Sequence, residues 1–298
     1  MHDSHIAWTD DTFNPWWGCD KVSAGCQFCY ADTLSRRYGH PVWGRAAPRR
    51  FFGEAHWRQP EKWHREALRS GVRRRVFCAS MADVFEDRRA LDPWRERLWA
   101  LMEQTPALDW QLLTKRPEHI SQMVPPAWMQ TWPSHIWIGT STENQEWAYH
   151  RTAELVKIPA KVRFLSVEPL LGPIPAVPLD GIHWVIVGGE SGAHARPMHL
   201  GWARNIRDQC ADAGVAFFMK QLGGRRDKRD QLEQFPEDLR IREFPIGDAP
   251  PVEAASGRTA AAPAGGEPGQ SKVQPWHRRR GTTKTGSRRD VGAADAGA

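Results

Sequence analysis

Six short runs of β-branched and aromatic residues recur along the chain, each separated from the next by a longer stretch. That alternation limits the possible folds more than any other feature. The runs are residues 75–80 (RVFCAS), 110–114 (WQLLT), 135–140 (HIWIGT), 163–167 (RFLSV), 183–188 (HWVIVG) and 215–220 (VAFFMK), with a shorter candidate at 6–9. Most are apolar on both faces, as strands buried beneath helices must be. Helical patterning covers 28–38, 60–70, 93–104, 143–156 and 201–213. Asp92 before Pro93 supplies a capping oxygen and a proline at the first helical position. Pro173, Pro175 and Pro178 exclude a helix from 170–181. The order predicts an α/β fold, an incomplete (β/α) TIM-like barrel, with an open doubly wound sheet as the competing arrangement. One such domain is expected over 1–248. From 249 to 298 the chain is rich in Ala, Gly, Pro and Ser without periodicity and reads as a disordered, low-complexity tail, basic between Lys272 and Arg289.

A formal net charge of +6 over 298 residues permits a polyanionic partner without demanding one. The first residues carry acids and histidines where a secretory signal needs a basic start and an apolar run, and no stretch reaches the roughly 18 apolar residues of a membrane span. A cytoplasmic protein without membrane contact is expected. Sixteen tryptophans read first as large core residues and second as surfaces on which a base or an adenine can stack.

Five cysteines are present, and Cys19, Cys26 and Cys29 crowd into NPWWGCDKVSAGCQFCY. Thiolates so close repel one another unless a cation neutralises them, which points to metal ligation in a reducing compartment. Pro15, Gly18 and Gly25 allow sharp turns, and the last cysteine stands at a helix start, where free amides favour negative charge. Structural zinc needs a fourth protein ligand, for which His40 or Cys78 would have to be recruited. A four-iron cluster on three thiolates leaves one iron open. Cysteines placed in a core by chance are the third reading. Cys78 and Cys210, and the histidines His56, His64 and His150, read as packing or surface residues.

In WTDDTFNPWWGCDKVSAGCQFCYA, LLTKRPE, IGTSTEN, FLSVEPLLGPI and VIVGGESGAHARP the chain resembles a phage-associated three-Cys-motif family of uncharacterised proteins related to the radical SAM superfamily. The likeness runs from about residue 5 to about 246. It implies a barrel-like domain, a 4Fe-4S cluster on Cys19, Cys26 and Cys29 and S-adenosylmethionine chelated at the open iron. Phe28 falls at the aromatic position before the last ligand. The six residues between Cys19 and Cys26 depart from the three of the common pattern. The resemblance also implies a protein partner encoded nearby.

Active sites of β/α barrels gather at the C-terminal ends of strands. That geometry selects Ser80 and Asp83; Thr114, Lys115 and Arg116; Thr140, Ser141, Glu143 and Asn144; Ser166 and Glu168; Gly188, Gly189, Glu190, Ser191 and Arg196; and Lys220 with Gln221. Of these, Lys115, Glu168, Glu190 and Lys220 are the expected catalytic groups. Phe28, Tyr30, Ser80, Asp83, Thr114, Thr140, Ser141, Ser166, Gly188, Gly189, Ser191 and Arg196 are the expected cofactor contacts. The function this assembles is reductive cleavage of S-adenosylmethionine to begin radical chemistry on an unknown substrate, with a nucleic acid or nucleotide as the candidate. A metal-stabilised nucleic-acid-binding module and a non-catalytic partner subunit are the alternatives.

Overall fold

The computed structural model describes residues 4–245; the expected tail at 249–298 and the boundary before it lie outside the described residues. In chain order the strands are β1 (Asp11–Thr12), β2 (Trp16–Trp17), β3 (Arg50–Phe51), β4 (Arg74–Cys78), β5 (Leu108–Thr114), β6 (Ile136–Ser141), β7 (Arg163–Val167), β8 (Trp184–Gly188) and β9 (Ala216–Gln221). The helices are α1 (Tyr30–Arg37), α2 (Glu54–Trp57), α3 (Gln59–Ser70), α4 (Asp92–Gln104), α5 (Ile120–Met123), α6 (Pro126–Gln130), α7 (Gln145–Leu155) and α8 (Leu200–Ala213). β2 and β3 form a small antiparallel ribbon, and the other seven strands make one parallel sheet in the order β1-β4-β5-β6-β7-β8-β9.

That order never reverses, so the sheet lacks the switch point of a doubly wound fold. Crossovers of one hand place their helices on one face, and the sheet curls into a half-barrel that encloses the other. Period-2 alternation then gives two cores. Val76, Leu112, Ile138, Leu165, Val167, Val185, Val187, Phe217 and Met219 belong to the larger core, which they share with helix residues such as Leu98, Leu155 and Ile206. Phe77, Trp137, Phe164, Trp184, Ile186 and Phe218 turn to the inner face. Gly139 has no side chain because a Cβ there would stand 2.5 Å from the Phe164 ring.

The first strand lies at Asp11–Thr12 and not at 6–9. Residues 6–9 form a turn closed by Thr9 N–H donating to the Ile6 carbonyl at 3.1 Å. Their apolar spacing reflects insertion: Trp8 is buried in the inner core, 4.5 Å from Phe77 and 6.1 Å from Trp184 between ring centroids, and its carbonyl accepts from Gln111 Nε2 at 3.2 Å. β1 escapes a pattern search because it is Asp-Thr, the buried Asp11 being held by Arg74 Nε at 2.7 Å. Asp92 is likewise displaced from the cap to the first helical residue, where it pairs with the buried Arg95. The other strands and long helices fall within one or two residues of expectation, and 170–181 contains no helix. Ten tryptophans, among them Trp8, Trp16, Trp57, Trp110 and Trp184, are core residues. No helix among the described residues is long and apolar enough to cross a membrane.

Candidate metal centre

The cysteine loop is fastened to the end of β4 before it begins. Asn14 Oδ1 accepts from Met81 N–H at 2.7 Å, its Nδ2 donates to Ser80 Oγ at 3.1 Å, and Gly18 N–H donates to the Met81 carbonyl at 2.9 Å. Gly18 has φ +117°, and a Cβ would lie 2.4 Å from the Val42 carbonyl oxygen, so both conformation and space require glycine. After Cys19 the chain makes a single helical turn at Ala24–Cys26, and Cys29 caps α1 without a side-chain oxygen of its own. The amides of Ala31 and Asp32 face its sulfur instead.

All three thiols are free and half-buried, and all three line one cavity of about 380 Å³. This is a small-ligand size. Thirteen of the expected site residues line the same cavity: Phe28, Tyr30, Ser80, Asp83, Thr114, Lys115, Ser141, Ser166, Glu168, Gly189, Glu190, Ser191 and Lys220. Ile6, Ala7, Trp8, Phe77 and Leu113 add an apolar wall.

Three expected contacts lie elsewhere. Thr140 is fully buried and donates to the Thr114 carbonyl at 2.9 Å, tying β6 to β5. Gly188 is small to admit Glu168, whose Oε1 would stand 2.4 Å from a Cβ there. Arg196 binds Glu190 at 2.6 Å and reaches the Ala24 carbonyl at 3.0 Å. It grips the cysteine loop from outside the cavity. Glu190, expected to be catalytic, is the carboxylate that holds this arginine, through both oxygens and the Arg196 N–H.

Charge in the site is organised by buried carboxylates. Asp83 accepts from Thr114 Oγ1 at 2.8 Å, Phe85 N–H at 3.0 Å, Lys115 N–H at 3.1 Å and Arg116 Nη1 at 2.8 Å. Glu143 Oε1 accepts from Gly25 N–H at 3.2 Å while its Oε2 accepts from Arg151 at 2.8 Å. Burial would raise the Glu143 carboxyl, but the Arg151 guanidinium, Lys115 and the loop's own donors hold it below its usual range. Glu168 pairs with Lys220 at 2.8 Å and accepts from Ser166 Oγ at 3.3 Å. The Lys115 ammonium has no carboxylate within ion-pair distance among the described residues, yet sits close enough to oppose the rise that burial gives the Cys29 thiol and to help hold Glu143 down. Burial pushes the Cys19 thiol up to about 12, Asp83 adding to the rise and Arg116 opposing it. Uncompensated, that thiol stays protonated.

Four other metal-capable residues are committed to packing or to backbone hydrogen bonds. Cys78 and Cys210 are fully buried in the larger core. His56 Nε2 is hydrogen-bonded to the Asn14 carbonyl at 2.8 Å, and His64 Nδ1 accepts from Ala107 N–H at 3.2 Å. Among the described residues no three His, Cys, Asp or Glu side chains converge on one ion-sized point. Glu143, Arg116 and Arg196 stand among the strand-end residues that sequence selects, but nothing in their local spacing announces that they clamp a loop more than 90 residues away.

Comparison with curated proteins and with solved structures returns no match. A family model described as "Protein of unknown function (DUF5131)" matches residues 3–290, nearly the whole chain, and the protein therefore belongs to that family.

Proposed function

We propose that this protein is a radical-SAM-like iron-sulfur enzyme with a TIM-like half-barrel, related to the phage-associated three-Cys-motif proteins that its cysteine loop resembles. The observation that carries the reading is the convergence on one cavity, at the C-terminal ends of a singly wound parallel sheet, of three free thiols, a Glu-Lys pair and Lys115, which has no ion-pair partner among the described residues. Cys19, Cys26 and Cys29 would hold a 4Fe-4S cluster. A cubane seats each thiolate on a different iron, so it asks for three thiols around one cavity and not for convergence on one point. A structural zinc ion asks for the opposite.

When bound, the cluster supplies one electron to the sulfonium of S-adenosylmethionine. The chain's own residues do the rest. Lys115 and Lys220 offer cations to the cofactor's carboxylate, and Glu168 offers a carboxylate to its ammonium. Ser141 and Ser166 add hydroxyls on the same strand ends, and Phe28, stacked on His194 at 5.5 Å, gives a flat surface for a purine. Trp8, Phe77 and Leu113 keep one wall dry, which protects a reactive species from water. A nucleic acid or nucleotide is the substrate class we favour, in a cytoplasmic setting that keeps thiols reduced, with a partner protein as a further component.

Anaerobic purification with assays for iron, acid-labile sulfide and zinc tests the cluster. The expected result is iron and sulfide near four each per chain for the intact cluster. Zinc without sulfide would instead favour a metal-stabilised binding module. Incubating the dithionite-reduced protein with S-adenosylmethionine should then release 5′-deoxyadenosine. A loaded cluster that releases none, alone or with the partner, points to a non-catalytic subunit.

A further inference from the structure

We propose that Arg116, locked by Asp83, is a positioning residue that tunes the cluster through the sulfur of Cys19; the inference rests on the cluster reading above. Arg116 lies just beyond β5, its side chain 7% exposed. Its Nη1 stands 2.8 Å from Asp83 Oδ2 and 3.7 Å from Cys19 Sγ, and its Nη2 donates to the Asp20 carbonyl at 2.8 Å. One planar group thus spans the end of β4, the end of β5 and the first turn of the cysteine loop. Only an arginine fork makes such contacts together.

The guanidinium is fixed because its counter-ion is fixed. Asp83 receives Phe85 N–H, Lys115 N–H and the Thr114 hydroxyl as well as Arg116, leaving it no freedom to turn. The three thiols are also inequivalent. Cys26 has the Ser23 hydroxyl at 3.9 Å, and Cys29 faces the amides that open α1. Among the described residues Cys19 alone has a cationic hydrogen-bond donor on its sulfur.

Hydrogen bonds and charge at ligand sulfurs set cluster potentials, and second-shell partners commonly change metal affinity 10- to 100-fold. Reduction adds one electron and therefore one negative charge. A fixed guanidinium stabilises that form, so its removal lowers the potential.

The full chain, reconstituted anaerobically with iron and sulfide, is titrated with dithionite as the one-electron donor and followed by electron paramagnetic resonance. Arg116→Gln should shift the reduction equilibrium about tenfold toward the oxidised form, roughly 59 mV for one electron. It should also lose iron to a chelator at least about tenfold more readily. Arg116→Lys, which keeps charge but not the fork, should fall between; it carries the test if circular dichroism shows that the glutamine variant does not fold. A native potential and native iron retention in a folded variant would overturn the role of Arg116 and leave the cluster standing. A native chain that takes up no iron and sulfide would overturn both.

Discussion

Glu143 shows how one buried carboxylate ties chemistry to stability. It is fully buried, receives Gly25 N–H from the cysteine loop and pairs with Arg151, itself 2% exposed. Glu143→Ala strands the arginine without its counter-ion and is expected to destabilise the fold by about 3–5 kcal/mol in urea unfolding. The pH dependence follows from the direction of its shift. The folded carboxyl titrates below its ordinary value of 4.5, so its contribution is complete above that value and fades as pH falls through the lower folded one. Glu143→Gln should flatten the acid limb of the stability profile below about pH 4.5 relative to the native chain; an unchanged limb would show that other carboxylates govern it. At Gly18 the cause is backbone and space together. Gly18→Ala places a Cβ against the Val42 carbonyl at φ +117°, and a loss of about 1–3 kcal/mol is expected in the same measurement.

At the scale of elements, α7 offers a clean test of local chemistry. Asn144 caps it, accepting from Trp147 N–H at 3.0 Å. Asn144→Ala should cost about 0.5–2 kcal/mol in thermal or urea unfolding. A change smaller than that would mean that packing of Ala148, Arg151 and Leu155 alone fixes the helix start. In the sequence Asn144 reads as a strand-end residue and not as a cap, which illustrates what sequence patterns carry. Long strands buried on both faces, such as Arg163–Val167, stand out because both cores demand apolar residues. The two-residue strands Asp11–Thr12, Trp16–Trp17 and Arg50–Phe51 do not, since their pairing depends on partners such as Arg74 and Val76 far along the chain. The same reasoning divides the site. Ser80, Lys115, Glu168 and Lys220 were legible because strand ends define one mouth. Thr140, Gly188 and Arg196 do not line that cavity, because residues near a strand end turn to different sides, and only the bonds of Thr140 to Thr114 and of Arg196 to Ala24 and the close approach of Glu168 to Gly188 reveal which side each takes.

On the scale of the whole molecule, a half-barrel leaves an inner face that its own strands do not close. The segment before β1 covers it. Trp8 packs against Phe77 of β4, Phe164 of β7 and Trp184 of β8, bringing β4 together with two strands that are not its neighbours in the sheet. It also forms part of the cavity wall on which the proposed chemistry depends. Removing its side chain empties a fully buried volume, and Trp8→Ala should lose about 3–5 kcal/mol. The denaturant slope should hold steady, since the surface exposed on unfolding barely changes. Trp8→Phe separates packing from polarity. The indole N–H has no hydrogen-bond partner among the described residues, so its loss forfeits no bond, and the phenyl ring keeps most of the contacts. A much smaller loss, about 1–1.5 kcal/mol, is therefore expected for phenylalanine. Equal losses in the two variants would show that the inner face is held by the strands and not by the inserted ring.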